Sequence, residues 1–524
     1  MSLADARSKL AFDYDAVVIG SGYGGAILAA RLAERGKRVC LLERGREWLP
    51  GDFPSDEKSL VAAVRSPINP LGLIDPNAQL ANDMDVVVAC GLGGTSLINA
   101  GISLVPANEV FAQPEWPRAI QRAHEDGSLG AFFERALGML GARRVESLAE
   151  APKVMRHKHG IEARGKRHDT LTLNVSHACT SCGDCVAGCN VVGAKNATTM
   201  NYLPLAKRHH ARIFTGIEVV SLAPDPGGAG YVVHFTIHDK GEHHGTVRAP
   251  IVVLGAGATG STEILLRSQT DHFRFSDRLG DRFSANADVM GMSYNGRERT
   301  FAIAQRGVVG TTISSYGDYR ASSEMQEKFL LLEGAIPSPL ATLVARAMGT
   351  YAMTRALEMN AEQRARTMRD LVPLTTPGDD GALGHSMLYL ACGHDSASGR
   401  LVLASKSGRV HVEWPGASKE RWVSAIEAEM EANAHAHGAI FIKNPRSTIL
   451  GGRRQMTVHP LGGCPMGDDV DHGAVDDLGR VFSRDGSIHD GLYVADGAII
   501  PRSLGVTPLL TISALAERVA SNIA

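Results

Sequence analysis

"DYDAVVIGSGYGGAILAARLAERGKRVCLLERG", residues 13–45, sets the fold class. Val17, Val18 and Ile19 make a short apolar run of strand length, and Gly20, Gly22 and Gly25 follow as G-x-G-x-x-G. Gly36 stops the intervening helix, and residues 39–42 make a second strand that ends on Glu43. A βαβ unit of this length predicts an α/β domain of Rossmann type that binds a dinucleotide. The glycines let the main chain approach a pyrophosphate seated on the helix N-terminus. Glu43 is placed to accept hydrogen bonds from ribose hydroxyls.

A second match, "APIVVLGAGATGSTEILLRS" (249–268), supplies Gly255, Gly257 and Gly260 after another apolar run. It reads either as an independent NAD site or as a further strand and helix of the same domain. The stretch that follows, "HFRFSDRLGDRF" (272–283), contains no strand ending in an acid. The second reading is therefore adopted.

At 524 residues the chain is long enough for two or three domains. A hydrophobic share of 44% against 21% charged residues supplies a large core and excludes global disorder. The net charge of -2 gives no electrostatic footprint for nucleic acid. The basic stretch "RHKH" (156–159) reads as solvated surface. The N-terminal stretch lacks a signal-like apolar core, and the apolar segment 329–353 is interrupted by Glu333, two prolines and Arg346. The expectation is a cytoplasmic protein with at most peripheral membrane contact, whose cysteines are free thiols or metal ligands.

Four of the eight cysteines fall in "HACTSCGDCVAGCN" (177–190). Cys179, Cys182, Cys185 and Cys189 follow ferredoxin spacing, without the proline after the last cysteine. No second run exists to share ligands, since Cys40, Cys90, Cys392 and Cys464 are scattered. The readings are a [4Fe-4S] or [3Fe-4S] cluster, a zinc ion, or four unliganded thiols in a loop.

Three further segments carry a family resemblance. "ACGLGGTSLINAGISLVP" (89–106), "VHPLGGCPMG" (458–467) and "GLYVADGAIIPRSLGVTPLLTISALAER" (491–518) resemble the signatures of glucose–methanol–choline oxidoreductases, in particular the bacterial cholesterol-oxidase-like branch. The resemblance implies FAD as cofactor. Gly20, Gly22, Gly25 and Glu43 would then hold its ADP half, and Gly91, Gly93, Gly94 and Asn99 would line the isoalloxazine. Val219 matches the position whose main chain meets adenine, Asp496 and Gly497 a pair near the pyrophosphate and ribityl chain, and Pro508 opens a helix toward the flavin. His459 is the implied base for removing a hydroxyl proton, a role that suits a histidine. Thr507 stands where the family commonly has Asn or His; its hydroxyl would donate one hydrogen bond to the substrate oxygen.

The implied organisation is a discontinuous FAD domain (11–60, 86–110, 196–290, 453–524). A substrate domain on an antiparallel sheet (111–170, 291–452) and a cysteine loop (177–195) complete it. "RLVLASKSGRVHVEW" (400–414) reads as a hairpin within the substrate part. Segment 338–359 reads as a helix capped by Ser338, with Pro339 in its first turn. Leu340, Leu343, Val344, Ala347, Met348 and Tyr351 share one face, either core or the mouth of a cavity for a sterol-like alcohol, and Glu358 falls on the Tyr351 side. The expected activity is oxidation of a lipophilic alcohol. Reducing equivalents would leave through an Fe–S cluster to a protein or quinone, so a dehydrogenase is expected ahead of a peroxide-forming oxidase. A flavin/Fe–S electron-transfer protein without an alcohol substrate is the reading from another class.

Overall fold

Ala16–Ile19 is buried along its length and pairs in parallel with Val39–Glu43 on one side and Ile251–Leu254 on the other. Strands that are apolar throughout belong in a sheet covered on both faces. The computed structural model describes residues 2–77, 83–228, 230–238, 241–305, 309–372, 378–405, 407–447 and 454–523. Its first sheet runs in the order Arg480–Phe482, Ile488–Val494, Ile251–Leu254, Ala16–Ile19, Val39–Glu43, Arg212–Thr215, parallel except for the edge strand Arg480–Phe482. The second glycine motif thus follows the neighbouring strand of the same sheet, as its sequence context implied. Gly25 is required by close packing: a Cβ there would sit 2.0 Å from the Gly20 carbonyl oxygen.

Helix Tyr23–Glu34 packs on Leu509–Asn522 and Tyr202–Arg208, and Leu509–Asn522 packs on Ser128–Leu140. The last contact brings Ser128–Leu140 against a helix of the nucleotide-binding part. Phe111, Trp116, Ile120, Leu129, Phe133 and Leu140 belong to the large hydrophobic core that the Rossmann strands share with Leu330, Leu332 and Cys392 of the antiparallel sheet.

The second sheet is antiparallel, in the order Ile440–Lys443, Val289–Tyr294, Met387–Gly393, Phe329–Gly334, Ser315–Asp318, Arg167–Thr170. Strand alternation divides Met387–Gly393 between two environments. Met387, Tyr389 and Ala391 pack with Trp422, Ile426 and Met430 of helix Arg421–Ala436, while Leu390 faces the large cavity described below. The 400–414 hairpin forms (Arg400–Leu403 with Val410–Glu413) but joins neither large sheet. Leu401, Val410 and Val412 pack instead with Met84, Val86 and Phe283, and the hairpin lies on helix Gly257–Ser268.

Local readings are corrected at Ser338, Ala347, Glu358 and His157. Ser338 does not cap a helix: it lies in a single 3-10 turn, Ser338–Leu340, and its N–H and hydroxyl both donate to Asp184. The helix proper is Ala341–Met353; of the expected face, Val344, Met348 and Tyr351 pack partly buried against the core that Ala341, Ala345 and Ala352 join, Leu340 lines the large cavity, and Ala347 is exposed. The buried positions are Ala341, Ala345, Gly349 and Ala352. Small residues won this face because Leu371 presses against Gly349. Glu358 lies beyond the helix end, exposed and paired with Arg355, and does not line the large cavity. Within "RHKH", His157 is fully buried; its Nδ1 meets the Ser315 hydroxyl at 3.1 Å, and burial lowers its pKa well below the ordinary value.

Candidate active site

A cavity of about 670 Å³ with predominantly apolar walls lies at the carboxyl ends of the first sheet's strands, with Leu390 of the second sheet on its wall. Three helix N-termini open onto it: Gly22, Tyr23 and Gly24 of the first helix, Gly257 to Gly260 of the second, and Pro508 and Leu509 of the last. First-turn amides have no partner within their own helix and carry the positive end of the helix dipole, so the three together suit a pyrophosphate.

The glycine-rich segment forms one wall through the 3-10 turn Gly94–Leu97 and the residues after it. Gly94 has φ +55, and a Cβ there would lie 2.8 Å from Gly22 Cα, so this wall abuts the phosphate-binding turn. Asn99 donates from Nδ2 to the Tyr23 hydroxyl at 2.7 Å, and its Oδ1 is buried without a protein partner. That orphaned acceptor on a cavity wall fits a donor on a bound ring system.

Gly20, Gly22, Gly94, Asn99, Val219, Asp496, Gly497, Pro508 and Glu43 all line this cavity, together with His459 and Thr507. Gly25, Gly91 and Gly93 do not. Gly25 serves helix–strand packing, Gly91 lies against Trp48 and Leu97, and Gly93 against Leu97 and Thr199. Glu43 accepts from the Ser21 N–H and hydroxyl and from the Gly45 N–H, and burial raises its pKa. Asp496 accepts from Gly257 N–H, Ser261 hydroxyl and Ala498 N–H; burial raises it likewise. Beside Glu43 lies a charged group missed in the sequence: Asp75 accepts from Arg44, Arg65 and Arg409, drawn from three separate segments.

His459 is held by a residue that no motif announced. Its Nδ1 lies 2.8 Å from Asp288 Oδ1, and Asp288 is fully buried. The other carboxylate oxygen accepts from the Thr457 hydroxyl and the Val458 N–H. A carboxylate can only accept, so Nδ1 donates, and Nε2 is left as the basic nitrogen of a histidine on the cavity wall. Cys392 Sγ lies 3.7 Å from the same Nδ1, and burial pushes its thiol well up. Asp288, Cys392 and His459 bring their ligand atoms within 4.8 Å of one another. Thr507 differs from expectation: its hydroxyl donates to the Ile102 carbonyl at 3.0 Å, so its proton is already committed.

The cysteine loop touches this site. Val186, next to Cys185, lines the large cavity, while Cys179, Cys182, Cys185 and Cys189 line a small cavity of their own. Main-chain hydrogen bonds at Ser181 and Asp184 favour the thiolates of Cys179 and Cys182, although burial prevails and raises both. Tetrahedral zinc would draw its sulfurs to about 4 Å from one another. Among the described residues no three of these thiols lie within 4.8 Å of one another.

Such a cavity, on a Rossmann sheet beside an antiparallel substrate sheet, defines a dinucleotide-dependent oxidoreductase. The family model described as GMC oxidoreductase matches residues 14–284 in its N-terminal part and 400–516 in its C-terminal part. The chain belongs to the GMC oxidoreductases, whose cofactor is FAD. It is 25% identical to a cholesterol oxidase of Acinetobacter baumannii, over 98% of this chain and 94% of that one. Against a long-chain-alcohol oxidase of Arabidopsis thaliana it is 23% identical, over 97% of this chain and 67% of the other. The fold resembles that of a fungal aryl-alcohol oxidase, with a TM-score of 0.62 at 15% identity over 98% and 99% of the two chains. No helix among the described residues is long and apolar enough to cross a membrane.

Proposed function

We propose that the chain oxidises a lipophilic alcohol, sterol-like or long-chain, to a carbonyl compound. The observation that carries this reading is His459: a histidine on the wall of an apolar cavity, with Nδ1 committed to a buried carboxylate. Nε2 takes the hydroxyl proton, and Asp288 stabilises the imidazolium that results. Ile102, Ile313, Leu340 and Leu390 supply walls that exclude water and reward an apolar substrate body. The helix N-termini, Glu43 and Asp496 would hold FAD, which would supply a two-electron acceptor for the oxidation.

The cysteine loop serves as the electron outlet. Cys179, Cys182, Cys185 and Cys189 would hold an iron–sulfur cluster, which supplies one-electron carriage to a protein or quinone acceptor. Shared walls support this: Val186 belongs to the FAD cavity, and Cys185 beside it to the cysteine cavity. Direct reoxidation by oxygen is the second reading, favoured by the oxidase names of the relatives. Oxygen uptake measured beside reduction of an artificial dye, over a panel of sterols and fatty alcohols, separates the two. Dye reduction outpacing oxygen uptake supports the outlet; turnover that is wholly oxygen-dependent refutes it.

A further inference from the structure

Lys195 follows the last cysteine by six positions and is 9% exposed. Its ammonium makes three hydrogen bonds, to the carbonyls of Leu97 at 2.8 Å, Asn99 at 2.6 Å and Cys185 at 2.9 Å. An ammonium has three donors, so its capacity is filled by these carbonyls. Two of them belong to the glycine-rich wall of the FAD cavity, where Asn99 itself is a lining residue. The third belongs to the cysteine loop, and Lys195 also lines the cysteine cavity. The side chain therefore crosses the partition between the two cavities.

A cation buried among neutral carbonyls is costly unless negative charge stands close by. Asp184 also lines the cysteine cavity, but its carboxylate is taken up by Gln305, the Ser338 N–H and the Ser338 hydroxyl and makes no bond to Lys195. The charges that act on Lys195 among the described residues are those of Cys185 and Cys189, and the four sulfurs around the small cavity would carry negative charge as thiolates bound to iron.

We propose that Lys195 is the fixed counter-charge of the cysteine-bound cluster, placed so that it raises the cluster's reduction potential. This rests on the cluster reading given above. A fixed positive charge favours whichever state carries an added electron, and the effect is strongest where the surroundings exclude water.

The test compares anaerobically prepared wild type with Lys195→Gln and Lys195→Met. Glutamine keeps two donors for the carbonyls and removes the charge; methionine removes both. Iron, acid-labile sulfide and FAD are counted, and the cluster potential is measured by redox titration. Lys195→Gln should retain iron, sulfide and FAD at the wild-type ratio. Its cluster should be harder to reduce by about tenfold in the equilibrium constant, which is about 59 mV for one electron. Lys195→Met should show the same potential in whatever fraction keeps its iron. A Lys195→Gln protein with full iron and the wild-type potential overturns the counter-charge role and leaves the cluster standing. Wild type that carries no iron and sulfide overturns the cluster and this role together.

Discussion

Asp288 Oδ1 lies 2.8 Å from His459 Nδ1, across 171 positions of chain. The loop before strand Val289–Tyr294 delivers the carboxylate, and the turn after Gln455–Thr457 delivers the ring. Asp288→Asn should keep FAD bound and lower the rate of flavin reduction by substrate by about 10²-fold or more, because the tautomer and the imidazolium both lose support. Single-turnover reduction followed at the flavin band reads this directly; a wild-type rate would leave Asp288 a purely structural residue.

Thr507 should matter to the fold more than to the chemistry. Removing its hydroxyl orphans the Ile102 carbonyl, at a cost of about 1 kcal/mol. Thr507→Val should therefore melt lower and reduce its flavin within an order of magnitude of wild type. A larger loss of rate without loss of stability would mean that the hydroxyl turns to the substrate during turnover.

Gly94→Ala tests the wall. The residue stands at φ +55, and a methyl group would meet Gly22 Cα at 2.8 Å. Left-handed backbone costs an alanine about 1–2 kcal/mol, and the contact would push the wall off the phosphate-binding turn. The purified variant should hold less FAD per chain than wild type. Full occupancy would show that the partition yields without cost.

The Rossmann half was legible because its signals are local. A strand, a glycine turn and an acid fall within thirty-odd residues, and the main chain there has one way to fold. The His459 position was legible through its motif neighbours, and the cysteines through spacing. Asp288, Tyr23 and Lys195 were not, because each acts through a tertiary contact. Asp288 precedes an ordinary strand, and Lys195 looks like any surface lysine until Leu97 and Asn99 are brought to it. Ser338 misled because its hydroxyl found Asp184 in the cysteine loop, a stronger partner than the amides of its own turn.

Acid should loosen the charged group beside Glu43. Burial alone would raise Glu218, but the His238 hydrogen bond and the Arg44 and Arg65 guanidinium groups bring it to about 2. Its folded pKa is below the unfolded one. The ionised carboxylate therefore stabilises the fold fully above about pH 4.5, and this contribution drains away as pH falls toward about 2. Glu218→Gln should be less stable than wild type at neutral pH by a few kcal/mol (on the order of 3). The gap should close across that acid window, as denaturant melts at successive pH values would record. A gap independent of pH would assign the loss to packing.

The most direct test of the account is anaerobic stopped-flow reduction of the bound flavin by a sterol or long-chain alcohol, wild type beside His459→Ala. His459→Ala should retain FAD and its visible spectrum, and its flavin should be reduced slower by about 10²–10⁴-fold, the usual worth of general-base assistance. If it reduces its flavin at the wild-type rate, or if no lipophilic alcohol reduces the wild-type flavin at all, alcohol oxidation at His459 is contradicted.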